Sequence, residues 1–142
     1  MKGDILLCIH YTDTPLTDWE PLAIAVGNTQ HSKPLGGLWA SPVDSVYGWA
    51  DWCLSQDFRL ERLAVGVPLE VSLNRAIVIN SRDDLGKLDW IGEYSNWESM
   101  VGRGIDVVYM TSEGLLATKD SLYGWDCESM VIMNLRALTP SS

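Results

Sequence analysis

The stretch VPLEVSLNRAIVI, residues 67–79, contains two different strand patterns in direct succession. From Leu69 to Leu73 every second residue is apolar, which is the period-two pattern of a strand with one exposed face. Residues 76–79 are all apolar and predict a buried strand. The sequence SRDD at 81–84 then predicts the cap of a brief helix. This succession lacks the regular βαβ alternation of a parallel sheet and indicates a mixed class.

Toward the C-terminus the sequence predicts further short elements of both kinds. Residues 95–98, SNWE, match a capping box that opens a second helix. Apolar runs at residues 105–110 and 128–135 predict two strands. Between these runs, Ser112 and Glu113 are expected only to cap a short segment that follows them.

Toward the N-terminus the same reading gives two strands and one longer helix. Residues 5–9 predict a buried strand that enters a loop, and residues 38–40 predict a second strand. Prolines and paired glycines indicate that residues 13–36 are mostly loop. SPVD at 41–44 predicts a helix start, and the helix should end near Gln56. Five or six short strands with three helices predict an α+β fold.

Length and charge limit the classes of protein to which the chain can belong. At 142 residues the chain has the length of one domain, which we expect to span residues 1–142. Ten basic residues against nineteen acidic ones give a net charge of −9. Binding of phosphates needs clustered Lys and Arg, and the closest approach to a cluster is Arg59 with Arg62. We therefore expect no direct nucleic-acid partner and no membrane partner.

The cysteines and the N-terminal segment bear on the cellular compartment. Cys8, Cys53 and Cys127 are an odd set without CxxC spacing, whereas a secreted domain of this size more often carries paired cysteines. The apolar stretch at residues 5–9 is shorter than a signal peptide or a membrane span requires. The sequence therefore predicts a cytoplasmic protein.

Three segments in chain order carry the residues suited to chemistry. The first is CIHYT at residues 8–12, with a histidine at a strand end. The second is GGLWASP at residues 36–42, which leads into a helix rich in aromatic residues. The third is WDCESMVIMN at residues 125–134, in which an acidic pair enters an apolar strand. Each segment alone is a weak signal, and their joint order is what points to a function.

This order resembles the H-Y-E branch of the ADP-ribosyltransferases, which contains the poly(ADP-ribose) polymerases and the diphtheria-type toxins. That family has a strand ending in His-x-Ser/Thr, then a Gly-Ile-Tyr-Phe-Ala-like strand leading into an aromatic helix, and finally a Glu that opens an apolar strand. The resemblance covers residues 8–134. It implies split antiparallel β-sheets with short flanking helices around a cleft that binds NAD as the cofactor.

The resemblance also implies roles for individual residues. His10 matches the histidine that binds the ribose of NAD, and Glu128 matches the catalytic glutamate. Trp39 stands where the family keeps a tyrosine that stacks on nicotinamide, and Trp49 or Trp52 falls near the second stacking aromatic residue. The residues implied to bind NAD are His10, Tyr11, Thr12, Gly37, Leu38, Trp39, Ser41, Tyr47, Trp49, Trp52 and Asp126.

The chain departs from the family pattern at three places. Trp39 replaces the tyrosine, and Tyr11 stands where the polymerase-like members prefer glycine. The sequence DCE at residues 126–128 is also similar to the acidic-x-Glu turn of the arginine-type branch. The subclass within the superfamily therefore stays open.

The residue types agree with this chemistry without reference to the family. Cleavage of the bond between nicotinamide and ribose builds positive charge on the sugar, and a nearby carboxylate favours that charge. A neutral histidine can donate to a ribose oxygen, and flat aromatic rings can stack on nicotinamide. Asp126 and Glu128, two residues apart on a strand, would point to the same face.

Each candidate residue also has a plain structural interpretation. His10 would then be a strand-end histidine satisfied by the backbone, and the tryptophans would serve packing. Asp126 and Glu128 would form a solvated strand entry. The two histidines and three cysteines lack the spacing of zinc ligands, so we expect no metal site.

Three hypotheses follow. The first is an NAD-dependent enzyme that transfers ADP-ribose to a protein acceptor or to water. Because phages carry small transferases of this kind, some of which inactivate host defence complexes, the resemblance implies by analogy an anti-defence role such as anti-CRISPR. The second is a non-catalytic acidic inhibitor that binds a partner protein by imitating nucleic acid. The third is a Trp-lined module that binds a small ligand or a sugar.

Overall fold

The structure is a computed structural model that describes most of the chain. It describes residues 5–12, 26–27, 35–44, 48–56, 65–91, 94–118, 125 and 127–140. Its strands are β1 Ile5–Thr12, β2 Val26–Gly27, β3 Leu35–Gly36, β4 Leu38–Pro42, β5 Val65–Ser72, β6 Ala76–Ile79, β7 Trp90–Ile91, β8 Tyr94–Ser95, β9 Val107–Met110, β10 Ser129–Ile132 and β11 Leu138–Pro140. Its helices are α1 Trp49–Gln56, α2 Trp97–Gly102 and α3 Ser112–Ala117, with 3-10 helices at Arg82–Lys87 and Leu135–Ala137.

Seven of these strands form one sheet in the order β11-β5-β1-β4-β10-β9-β6. Neighbouring strands are antiparallel except for β6 and β9, which are parallel. The α+β class is therefore confirmed, with a mostly antiparallel sheet. The split sheets that the resemblance implied are not confirmed, and seven of the described strands form one continuous sheet. Two backbone pairs connect strands β11, β5 and β1 to strands β4, β10, β9 and β6. They are Cys8 with Pro42 and Ile9 with Ser41.

The sheet has a hydrophobic core on each face, because side chains alternate between faces along a strand. Alternation is visible in β10, where Met130 packs on one face and Val131 on the other. The first core contains Ile77, Ile79, Leu88, Trp97, Met100, Val108, Met110, Trp125, Val131 and Met133. The second core contains Cys8, Ala40, Leu69, Val71, Val107, Met130, Ile132 and Ala137. The period-two pattern of residues 69–73 thus places Leu69 and Val71 in the second core, as predicted.

Strand β1 is longer than its apolar run predicted. It pairs with β5 along its whole length, from Ile5 opposite Ser72 to Thr12 opposite Val65. The expected loop entry at His10 is therefore wrong. The backbone hydrogen bonds of the ladder compensate for the polarity of residues 10–12, which local hydrophobicity alone does not register.

The start of the first helix was also predicted wrongly. Ser41 and Pro42 belong to β4, Val43 and Asp44 form a turn, and α1 begins only at Trp49. Pairing of β4 with β1 on one side and β10 on the other overrides the local capping signal. The end of the helix at Gln56 agrees with the prediction.

Elements in the C-terminal half differ from expectation in smaller ways. The cap of α2 is Asn96, whose side chain accepts from the backbone of Ser99, whereas Ser95 is buried in β8. Strand β10 starts at Ser129, so the segment containing Glu128 precedes the strand. Strand β11 was not predicted at all.

Candidate functional site

The three segments singled out in the sequence lie on three neighbouring strands. β1 carries the first segment, β4 residues 38–42 of the second and β10 residues 129–132 of the third, in the order β1-β4-β10. Cys8 lies opposite Pro42 on one side of β4, and Ala40 lies opposite Met130 on the other. The fold therefore gathers residues that are more than a hundred positions apart in the sequence.

Glu128 lies immediately before β10, the third of these strands. Its side chain is buried, with a relative exposure of 9% for the residue. The hydroxyl of Tyr109 donates to Oε2 of the carboxylate, and the hydroxyl of Ser112 donates to Oε1 at 2.7 Å. The backbone carbonyl of Glu128 accepts from Ser41 Oγ at 2.8 Å. Both carboxylate oxygens and the carbonyl are thus held by hydroxyl groups.

Burial and the nearby Glu128 carboxylate raise the pKa values of two neighbouring groups. Burial, followed by the hydrogen bond to Glu128, raises the pKa of Tyr109 well above its ordinary value. Burial, followed by the charges of Asp44 and Glu128, raises the pKa of the Cys8 thiol to about 12. Tyr109 and Cys8 therefore remain protonated at neutral pH, and Tyr109 acts as a donor to Glu128.

Glu128 differs from Asp84, Asp89 and Asp106 in that no described basic side chain pairs with it. Among the residues that the structure describes, the ion pairs are Lys87 with Asp84, Arg103 with Asp89, and Arg136 with Asp106. The buried Asp106 accepts a bidentate contact from Arg136, with distances of 2.9 to 3.1 Å. Within the same described part of the chain, Glu128 is contacted by hydroxyls and by no basic side chain.

His10 is two residues from Cys8 in β1 and therefore lies on the face of the second core, from which Tyr109 reaches Glu128. Its Nδ1 is 2.7 Å from the carbonyl oxygen of Trp39, which can only accept, so the neutral ring carries its proton on Nδ1. In that tautomer Nε2 is an acceptor and cannot make the expected donation to a ribose oxygen. The plain interpretation of a backbone-satisfied histidine holds for Nδ1.

Trp39 lies on the opposite face. Its ring packs against the first core and makes an edge-to-face contact with Trp125, with ring centroids 4.9 Å apart. Trp125 in turn stacks on Trp97 at 6.4 Å. The structure therefore gives Trp39 a packing role and does not bring its ring to the face that carries His10 and Glu128.

The remaining candidates have varied surroundings. Gly37 has a φ of 83°, and a Cβ there would lie 2.5 Å from Val131 Cγ2, so its glycine is explained by backbone geometry and packing. Leu38 packs against the second core.

Tyr11 and Ser41 also differ from the expected NAD contacts in what surrounds them. Tyr11 lies on the sheet face away from His10, where its ring is beside Gly66. Ser41 is buried and accepts the backbone N–H of Trp49 at 2.9 Å.

Several expectations fall outside what the structure describes. Tyr47 and Asp126 are not among the described residues, nor are the side chains of Thr12 and Trp52. β10 begins at Ser129, so Glu128 is not part of the strand on which it was expected to share a face with Asp126.

Tyr109 and Ser112 are site residues that sequence reasoning missed. Ser112 was expected only to cap the following helix, but Thr111 is that cap, accepting from the backbone of Gly114. The signal available for Tyr109 was a tyrosine within the apolar run of residues 105–110. A buried tyrosine hydroxyl usually has a hydrogen-bond partner.

Comparison with protein-family models, with curated proteins and with solved structures found no match. In the part of the chain that the structure describes, no helix is long and apolar enough to cross a membrane. No group of three or more His, Cys, Asp or Glu side chains among the same residues is arranged to hold a metal ion.

Proposed function

We propose that the protein is an NAD-dependent ADP-ribosyltransferase in which Glu128 is the catalytic carboxylate and His10 orients the ribose. The observation that carries the proposal is the buried Glu128 carboxylate, which receives two hydroxyl donors and, among the described residues, no basic side chain. A buried charge without a counterion is costly, and proteins usually pair it. A cationic reacting group would supply the missing partner.

The proposed reaction develops such a cation. As the nicotinamide–ribose bond breaks, positive charge accumulates on the ribose ring, and a preorganised negative group in a dry site stabilises it. Tyr109 and Ser112 leave further acceptor capacity on each oxygen of Glu128, which can receive a ribose hydroxyl. The carboxylate can thus hold the sugar and stabilise its charge.

The arrangement of the three motif strands supports the same proposal. The strand of His10 and the strand that Glu128 precedes are separated in the sheet by β4, which carries residues 38–42 of the second motif segment. Ser41 joins Glu128 to the start of α1, which carries the aromatic residues Trp49 and Trp52. We therefore propose an ADP-ribosyltransferase-like arrangement, with NAD lying across β1, β4 and β10 on the face that carries His10 and Glu128.

The acceptor that we propose is a protein, in keeping with the negative charge of −9, which disfavours nucleic acid. By analogy with small phage transferases, a host defence complex in the cytoplasm is the proposed class of acceptor. The NAD reaction is independent of that choice and can be tested without the acceptor.

The experiment is incubation of the purified protein with NAD carrying a label on the adenylate half. The proposal predicts free nicotinamide, with the label on free ADP-ribose when water is the acceptor or on protein when a suitable acceptor is added. Calorimetry with NAD runs in parallel. Absence of both nicotinamide release and heat of binding would overturn the proposal and favour the non-catalytic acidic inhibitor.

A further inference from the structure

The carboxylate of Glu128 is held at both oxygens by side chains from two other elements. Tyr109 is in β9, where it lies opposite Met130 of β10, and Ser112 is the first residue of α3. Each donates to a different oxygen. Two donors on two oxygens fix the rotation of the carboxylate plane, which a single donor would leave free.

The position of Ser112 is itself fixed by the packing of α3 on β6. The backbone N–H and the side-chain hydroxyl of Thr111 both donate to the carbonyl of Ile79, each at 3.1 Å. Gly114, one turn into α3, lies so close to that carbonyl that a Cβ would collide with it. The start of the helix therefore rests directly on the strand end, and Ser112 is aimed at Glu128 by a rigid contact.

Tyr109 is fixed in a different way. Its side chain packs against the second core, so its ring is held by apolar neighbours while its hydroxyl reaches the carboxylate. Because its pKa is raised, the phenol stays protonated at neutral pH and can donate to the carboxylate. The two donors are thus delivered by independent parts of the fold, a strand and a helix start.

We infer that Tyr109 and Ser112 are positioning residues that orient Glu128 toward the ribose of NAD. The inference rests on the proposed function, because it assigns their effect to the turnover of NAD. Neither residue needs to touch NAD, and their effect passes through Glu128. Misplacement of a catalytic group by about 1 Å can cost on the order of 10²-fold in rate.

The test combines single and double variants with two readouts. We expect Tyr109→Phe and Ser112→Ala each to lower kcat for nicotinamide release by about 10-fold, and together by about 10²-fold, with KM for NAD changed by less than about two-fold. Ser112→Thr, which retains a hydroxyl, should recover most of the loss. Ser72→Ala, on the distant strand β5, is the control for loss of a serine hydroxyl.

A double-mutant cycle distinguishes positioning from a separate role. In a Glu128→Gln background, Tyr109→Phe and Ser112→Ala should cause little further loss, because the group that they orient has already been altered. A full additional loss in that background would contradict the inference. Full activity of the Tyr109→Phe and Ser112→Ala variants would contradict it as well, while leaving the proposed function intact.

The second readout does not depend on activity. Carbon-13 spectra of protein labelled in glutamate side chains contain a Glu128 carboxyl signal, identified by its loss in Glu128→Gln. That signal should move in Tyr109→Phe and in Ser112→Ala and stay in place in Ser72→Ala. If it moves but wild-type protein releases no nicotinamide, the proposed function fails and the contacts stand. An unmoved signal overturns the positioning role whatever the activity.

Discussion

Ser41 Oγ donates to the backbone carbonyl of Glu128 at 2.8 Å, across 87 residues of sequence. The same oxygen accepts the N–H of Trp49 at 2.9 Å, at the start of α1. One buried hydroxyl therefore joins the end of β4, the segment before β10 and a helix. Ser41 does satisfy a helix N-terminus, as its sequence context indicated, but from within a strand and eight residues away.

Replacement of Ser41 by Ala should destabilise the protein. A buried carbonyl and a helix N–H both lose a partner, so the free energy of unfolding should fall by about 1–2 kcal/mol. Urea denaturation monitored by circular dichroism measures this loss. Ser41→Thr retains the hydroxyl and should lie closer to wild type, and an Ala variant as stable as wild type would refute the linking role of Ser41.

Gly114 should tolerate no side chain. A Cβ at this position collides with the Ile79 carbonyl, so Gly114→Ala must push α3 away from β6 at a cost of about 3 kcal/mol. Gly86 is the matched control, because a Cβ there meets nothing within 4 Å. Thermal denaturation should show a large fall for Gly114→Ala and little change for Gly86→Ala. Equal stability of the two variants would contradict the close contact between Gly114 and the Ile79 carbonyl.

The thiol of Cys8 should make stability fall at alkaline pH. Its pKa is raised from 9.0 to about 12, so above pH 9.0 the unfolded chain releases this proton while the folded chain retains it. The contribution is thus constant below pH 9.0 and is lost as pH rises toward 12. Tyr109, whose pKa is also raised, adds to the same trend.

The measurement is the free energy of unfolding of wild type and Cys8→Ala at neutral and at alkaline pH. A cavity in the variant lowers stability equally at every pH, so only the slope above pH 9.0 reports on the thiol. The variant should have the shallower slope. Parallel slopes would contradict the raised pKa of Cys8.

Two variants of His10 should distinguish its hydrogen bond to the Trp39 carbonyl from its proposed contact with NAD. His10→Asn can keep a donor to the Trp39 carbonyl in place of Nδ1 but has no equivalent of Nε2. We expect this variant to fold with nearly wild-type stability and to bind NAD about 10-fold more weakly by calorimetry. His10→Ala should lose both. Undiminished NAD affinity in His10→Asn would exclude Nε2 from the site.

The sheet could largely be predicted from local patterns, because burial on a pleated surface enforces alternation. Leu69 and Val71 entered the core as their period indicated. Residues 76–79 formed strand β6, in which Ile77 and Ile79 are buried and the other two residues are half-buried. Strand β11 could not be found in this way. It has three residues, Leu138–Pro140, and exists because β5 offers it an edge, which no local signal records.

The site was less accessible to prediction, since its contacts join residues that are distant in sequence. Glu128 and His10 were candidates in the sequence because of the order of the motifs that contain them. Tyr109 and Ser112 were not, because their roles depend on β9 and α3 being brought beside Glu128. Trp39 was matched to the tyrosine that stacks on nicotinamide, but strand alternation and the contact with Trp125 place its ring on the other face.

The central claim is that the Glu128 carboxylate drives cleavage of NAD. The most direct measurement is the rate of nicotinamide release by wild type and Glu128→Gln, with Glu113→Gln as a control at an exposed position in α3. Loss of one well-placed electrostatic group costs about 10²–10³ in turnover, so Glu128→Gln should lose that much while still binding NAD, and Glu113→Gln should match wild type. Full nicotinamide release by a folded Glu128→Gln protein would contradict the account.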